Sequence, residues 1–319
     1  MMKIDAVITW VDGNDPHHKE KRRKYCPADT LNAEDKGGET RFANVGEIFW
    51  CIASLNRFAP WINKIYIVTD NQDPSVTHFL EENFPDGYIP VEIVDHKVIF
   101  RGYEEYLPTF NSISIETMTW RIPGLSDRYI EFNDDLMLTA PTSPDDFFTE
   151  DGKVICYGTW ASLPLTRFTR KFKPRGEVTT KCSHANGAAL AGCRWKYLRL
   201  AHCQKALRRD FFEKYYSEHP DDIIRNIRHR FRDVEQFTSQ ALHYVELHKT
   251  KECIVKPIAG ALFFLQPKEK AGYFDRKFEE LKRFEGKFLC LNSIEKINES
   301  QRKQIIEWIE KKLKLKIWK

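Results

Sequence analysis

The chain has 319 residues, of which 42% are apolar and 30% charged, and its formal net charge is +4. That length suits one large α/β domain with insertions or a domain plus a smaller lobe, and the composition excludes extended disorder. So small a positive excess gives no general reason to expect a nucleic-acid partner.

The opening MMKIDAVITW is too short an apolar run for a signal-peptide core before it meets Asp12, and no stretch is long enough to span a bilayer. The eight cysteines are scattered, with no C-x-x-C pair to suggest structural zinc. These features predict a reduced, cytoplasmic protein. KIDAVITW reads as a first strand and NVGEIFWCIASLNRF as a helix, with Val45, Ile48, Phe49, Ile52 and Leu55 at helical spacing. INKIYIVTD, between Pro60 and Pro74, reads as a second strand and YIPVEIVD as a third. NSISIETMTWRI suits a helix, and DRYIEFNDD a fourth strand. This alternation predicts an α/β fold: a Rossmann-like, mostly parallel sheet with helices on both faces over residues 1–150.

Beyond residue 150 the pattern changes. TRFTRKFKPRGEVTTK gathers Arg167, Arg170, Lys171, Lys173, Arg175 and Lys181 within a basic insertion at 151–185, suited to an anionic partner or to a solvated loop. CQKALRRDFFEKYYSEHP and DVEQFTSQALHYVELHK make 186–319 a helix-rich C-terminal half. The last segment, ESQRKQIIEWIEKKLKLKIWK, sets Ile305, Ile306, Ile309 and Leu313 on one side. It reads as a docking terminal helix; basic residues around Trp308 and Trp318 also allow peripheral contact with the inner face of a membrane. The whole chain, 1–319, reads as a single domain.

Ligands of open parallel sheets bind beyond the carboxyl ends of the strands. Asp12 with Asn14 and Asp15, Asp70, and Asp134 with Asp135 each follow an expected strand, so all can face one crevice. The other explanation is that such residues end strands and cap helices. No G-x-G-x-x-G follows the first strand, GAALAGC (Gly187 to Cys193) has P-loop glycine spacing without the lysine, and no G-x-S-x-G is present.

IDAVITWVDGNDP resembles the first conserved region of the Stealth family, capsular polysaccharide phosphotransferases of bacteria with an animal relative, the lysosomal-enzyme N-acetylglucosamine phosphotransferase. RFANVGEIFWCIASLNRFAPWINKIYIVTDNQDP resembles a second region, LPTFNSISIETMTWRIPGLSDRYIEFNDDLML a third and KFLCLNS a fourth, in order from Ile4 to Asn292. The resemblance implies a Rossmann-like enzyme that moves a sugar-1-phosphate, by resemblance N-acetylhexosamine-1-phosphate, from a UDP-sugar to a hydroxyl of a surface polysaccharide, releasing UMP. It implies a catalytic set of Glu116, Asp134, Asp135, His202 and an arginine of RHRFRDVEQ, with Arg230 preferred to Arg232. Asp12, Gly13, Asn14, Asp70, Asn133, Arg232 and Asn292 are expected to bind substrate, Gly13 by letting the backbone approach the diphosphate.

The chemistry of these residue types agrees with those roles. An imidazole can take the acceptor proton near neutral pH, and an arginine fork suits bidentate phosphate contact. Adjacent carboxylates suit Mg²⁺, expected at Asp134 and Asp135. The chain departs from the family pattern at Ala43, Asn44 and Ala53, lacks a proline after His202, and has Ser293 where aspartate is usual. Two other functions compete: a glycosyltransferase releasing UDP, and an inactive glycan-binding relative.

Overall fold

The computed structural model describes residues 3–26, 42–172 and 178–316. Lys173, Arg175 and Trp318 therefore lie outside the described residues. In chain order the first half forms β1 (Ile4–Thr9), α1 (Pro16–Tyr25), α2 (Glu47–Phe58), β2 (Ile65–Thr69), α3 (Val76–Asn83), β3 (Val91–Asp95), α4 (His96–Ile99), α5 (Ser112–Met118), β4 (Arg128–Asn133) and β5 (Leu136–Leu138). The second half forms β6 (Val154–Ser162), α6 (Leu163–Arg170), α7 (Thr180–Leu190), β7 (Lys196–Leu200), β8 (Lys205–Arg208), α8 (Arg209–Glu218), α9 (Pro220–Ile227) and α10 (Ser239–Lys249). It closes with β9 (Cys253–Lys256), β10 (Leu262–Leu265), α11 (Tyr273–Lys282), β11 (Phe288–Leu291) and α12 (Glu299–Leu313).

The four strands expected from the sequence are β1 to β4, and they run parallel in a five-stranded sheet of order β3-β2-β1-β4-β8. β1 and β2 are covered on both faces, which is why IDAVIT and IYIVT are near-continuous apolar runs rather than alternating ones. The buried exception, Asp5, accepts from Asn63 Nδ2 and from the Ser126 amide, both at 2.7 Å. From β1 the chain steps outward through β2 to β3, then returns to the other side of β1 as β4. The connections after β1 and β4 thus diverge and leave a crevice between them, the switch point where open α/β sheets bind ligands.

Several sequence expectations change beyond β4. CQKALRR is not helical at its start: Lys205–Arg208 forms β8, antiparallel to β4, because β4 would otherwise leave an unpaired edge, and the helix begins only at Arg209. The stretch 151–185 opens with β6, whose buried Val154, Ile155 and Cys156 pair with parallel β9 while its later residues Gly158–Ser162 pair with antiparallel β7, so it is structural in that part rather than an insertion. The C-terminal half adds strands β7 to β11 to its helices, and β11 pairs with both β10 and β5. Residues 233–238 precede α10 rather than forming its first turns.

Two other expectations acquire a physical reason. Gly187 lies inside α7, where an added Cβ would sit 2.9 Å from the Thr238 carbonyl oxygen and 3.2 Å from the Leu242 amide; its smallness lets α7 pack on α10, not cradle a phosphate. The terminal helix α12 docks on α2, with Ile305, Ile309 and Leu313 buried and Arg57 Nε donating to the Leu313 carbonyl at 3.1 Å. Its apolar face is therefore already covered by protein.

Candidate active site

A cleft of about 910 Å³ opens beyond the carboxyl ends of β1 and β4. Of the residues singled out by sequence, Asn133, Asp134, Asp135, His202, Arg232 and Asn292 line it. They come from four separate parts of the chain. Asn133 ends β4, and Asp134 and Asp135 form the turn into β5. β5 pairs with β11, and the Leu291 amide donates to the Asp135 carbonyl at 3.0 Å; that register carries Cys290 and Asn292 to the Asp135 side chain. His202 follows β7, in the link that leads into β8.

Asp135 Oδ2 is the centre of the cluster. Asn292 Nδ2 donates to it at 3.2 Å, the Cys290 thiol lies at 3.5 Å and His202 Nε2 at 3.5 Å. Burial raises the acid's pKa, but His202, Asn292 and Cys290 together outweigh it and hold the carboxyl below its ordinary range. The neighbours go the other way. Burial, Glu47 and Asp135 push Asp134 well above the carboxylate range, and burial first, then Asp135 and Glu295, push Glu47 up to about 7. Asp135 is the ionised member of a crowded carboxylate group.

Arg232 reaches the cleft from the loop after α9, and its Nη2 donates to Ser112 Oγ at 2.6 Å. That loop is pinned to α5 by buried amides. Asn111 Nδ2 donates to the His229 carbonyl and to Gln236 Oε1, both at 2.9 Å, and Gln236 Nε2 donates to the Asn226 carbonyl at 2.7 Å. Arg230 goes elsewhere: its Nη2 donates to the Glu105 and Leu107 carbonyls at 3.0 and 3.2 Å, and it stacks over Tyr25. The arginine at the cleft is Arg232, not the preferred Arg230, because the intervening Phe231 packs against Phe110 and the chain turns between the two.

Asp12, Gly13, Asn14, Asp70 and Glu116 do not line the cleft. Asp12 Oδ1 accepts from the Asn14 amide at 2.9 Å, and its own amide donates to Gln72 Oε1 at 2.9 Å, so it organises the turn after β1 while Trp10 and Val11 face the cavity. Asn14 Nδ2 donates to the Asn44 carbonyl at 3.4 Å. An added Cβ on Gly13 would lie 1.9 Å from the Phe42 carbonyl oxygen, so the close approach its smallness allows in the structure is to Phe42. Asp70 pairs with Lys21 at 2.8 Å.

Glu116 belongs to a polar network outside the cleft lining. Gln240 Nε2 donates to Glu116 Oε2 at 3.0 Å and to Glu131 Oε1 at 2.5 Å, and Lys205 Nζ is 3.7 Å from Glu131. Glu131 is fully buried, and burial followed by Glu116 raises it to about 8. Sequence reasoning missed Lys205, Glu131, Glu47 and His184. Glu47 and Glu131 do leave a trace, since each is a lone acid in an apolar run; His184 and Lys205 leave none. Burial lowers His184 to about 3, so a neutral imidazole faces the cleft. The opposite wall carries Trp10, His18, Phe42, His96 and Phe110, with His96 held neutral by burial at about 4.

The hard oxygen donors fit a Mg²⁺ ion. Asp135 Oδ1 and Asn133 Oδ1 are buried without a hydrogen-bond partner, beside the Asp134 carboxyl. Cys290, Asp135 and His202 also offer ligand atoms within 4.8 Å of one another, but burial keeps the Cys290 thiol protonated and makes it a poor ligand.

Residues 2–27 match Stealth protein conserved region 1, and residues 41–155 match conserved region 2. The chain belongs to the Stealth family. An exopolysaccharide phosphotransferase of Streptomyces coelicolor is 35% identical over 249 residues, 76% of this chain and 43% of that protein. The capsular polysaccharide phosphotransferases of Neisseria meningitidis (33% over 234 residues, 72% of this chain, 60% of the relative) and Streptococcus pneumoniae (41% over 152 residues, 48% and 43%) are also similar. The chain spans about half the length of these curated relatives.

In this Stealth protein the stretches read as a second and a third region fall together inside conserved region 2. That region supplies Glu47, Asn133, Asp134 and Asp135 to the cleft. His202, Arg232 and Asn292 lie beyond both matched regions and reach them only through the fold. Among the described residues no helix is long and apolar enough to cross a membrane.

Proposed function

We propose that this Stealth protein transfers a sugar-1-phosphate from a nucleotide sugar, a UDP-N-acetylhexosamine by family resemblance, to a hydroxyl of a surface polysaccharide on the cytoplasmic side, forming a phosphodiester and releasing UMP. The observation that carries this reading is the meeting of His202, Asp135 and Arg232 in one cleft at the sheet's switch point. Phosphoryl transfer needs chiefly positioning and charge stabilisation, and these groups supply a base, its orienter and a phosphate fork.

In the proposed reaction the acceptor oxygen attacks the sugar-bearing phosphorus, the bond from that phosphorus to the nucleoside monophosphate oxygen breaks, and the acceptor proton passes to the His202 imidazole. The Asp135 carboxylate, 3.5 Å from His202 Nε2, orients the ring. The Arg232 guanidinium, steadied by Ser112, holds phosphate oxygens. Glu116 steadies Gln240 and, through it, Glu131 of β4, the strand that ends at Asn133. Asp134, Asp135 and Asn133 would hold Mg²⁺, which when bound neutralises phosphate charge. The aromatic wall of Trp10, Phe42 and Phe110 suits the flat base of the donor.

The test is to incubate the protein with a panel of nucleotide sugars, an oligosaccharide primer and Mg²⁺ and to identify the nucleotide released. Nucleoside monophosphate, with phosphorus in the product, is the expected result. Nucleoside diphosphate would make the protein a glycosyltransferase, and binding without turnover would make it a glycan-binding relative.

A further inference from the structure

Among the described residues four apolar side chains stand out by exposure: Leu165 at 61%, Phe168 at 56%, Phe172 at 75% and Trp195 at 76%, whereas no other exposed large apolar side chain exceeds 41%. They belong to one place. Phe168 and Phe172 are in edge-to-face contact at 5.2 Å, and the Leu163 amide at the start of α6 donates to the Trp195 carbonyl at 2.9 Å. The charge along these segments is largely of one sign: Arg167, Lys171, Lys181, Arg194 and Lys196 are exposed on or beside α6, α7 and the start of β7, and from Gly152 to Arg209 the sequence contains a single acid, Glu177. α6 stands on β7 and α7, which also supply Arg199, Thr180 and His184 to the cleft.

We infer that α6, with Phe172 and Trp195, is a membrane-binding surface that lies in the headgroup region of an anionic bilayer beside the cleft. An exposed apolar strip rimmed by arginine and lysine matches the two parts of such an interface, acyl boundary and phosphate headgroups. Three of the four apolar side chains carry no polar atom. A polysaccharide would draw on tryptophan and tyrosine faces rather than on Leu165. α12 does not fill this role, since its apolar face is buried against α2. The inference does not depend on the chemistry proposed above, because it reads binding and not turnover.

The experiment is flotation of the whole protein with vesicles of phosphatidylcholine alone or with added phosphatidylglycerol. Binding is expected only when phosphatidylglycerol is present. The exposed triple substitution Leu165→Ser/Phe168→Ser/Phe172→Ser should abolish it while circular dichroism stays unchanged. Arg167→Gln/Lys171→Gln should weaken it about 30-fold, from about 1 kcal/mol per headgroup-facing charge. Failure to float with either vesicle, or equal flotation of the triple variant, overturns the inference. Two other outcomes do so as well: a dimer in lipid-free solution that the triple substitution dissociates, with no vesicle binding, or retention by an anionic polysaccharide alone.

Discussion

His202 and Asp135 form a directional pair: the carboxyl is held below its ordinary range, so it stays ionised, and its Oδ2 lies 3.5 Å from the ring Nε2. His202→Ala and Asp135→Asn should each lower transfer by about 10²–10⁴-fold, the usual worth of a positioned base, with near-native circular dichroism. Near wild-type rates in both would remove them from the mechanism. Asp135 and Glu47 also act oppositely on stability. The Asp135 contribution is present above the ordinary carboxyl range and is lost as pH falls through its lowered folded value. Glu47, raised from 4.5 to about 7, binds its proton more tightly in the folded state, so it costs stability as pH rises through that window. Glu47→Gln should therefore gain on wild type by roughly 1–3 kcal/mol between pH 5 and pH 8, read as urea midpoints with EDTA present. Parallel pH profiles for the two proteins would show that Glu47 is ionised in the fold.

At the scale of elements, glycine at position 187 is a test of what holds α7 in place. Replacing a mid-helix glycine by alanine ordinarily stabilises by about 0.5–1 kcal/mol. Here the new methyl would meet the Thr238 carbonyl oxygen at 2.9 Å, a backbone atom that no rotamer change can move. Overpacking of that kind costs about 1–3 kcal/mol, so Gly187→Ala should lower the urea midpoint in spite of its better helix propensity. A higher midpoint would mean that α7 separates from α10 at no cost. The same contrast explains which elements were legible. β1 to β4 and α2 announce themselves by period and punctuation, because each buries a regular face. β8 does not: KALR is short and flanked by helix formers, and only the open edge of β4 makes it a strand.

The molecule as a whole closes on α12, which returns the C-terminal end of the described chain to α2. Ile309→Ala, at a side chain only 1% exposed, should cost about 2–5 kcal/mol and lower the melting temperature, yet leave vesicle flotation unchanged. Loss of flotation in a folded Ile309→Ala protein would shift the membrane contact from α6 to α12. Sequence alone determined the parallel sheet, the family and the acids after β4, since local period, strand-ending residues and contiguous motifs are properties of short stretches. It also named His202 and Asn292. Only the tertiary structure decided that β5–β11 pairing sets Asn292 on Asp135, that Arg232 rather than Arg230 enters the cleft, and that Asp12 and Gly13 shape a turn. Those outcomes depend on which distant surfaces pack together and on which face of a loop is left open, and no local pattern encodes either.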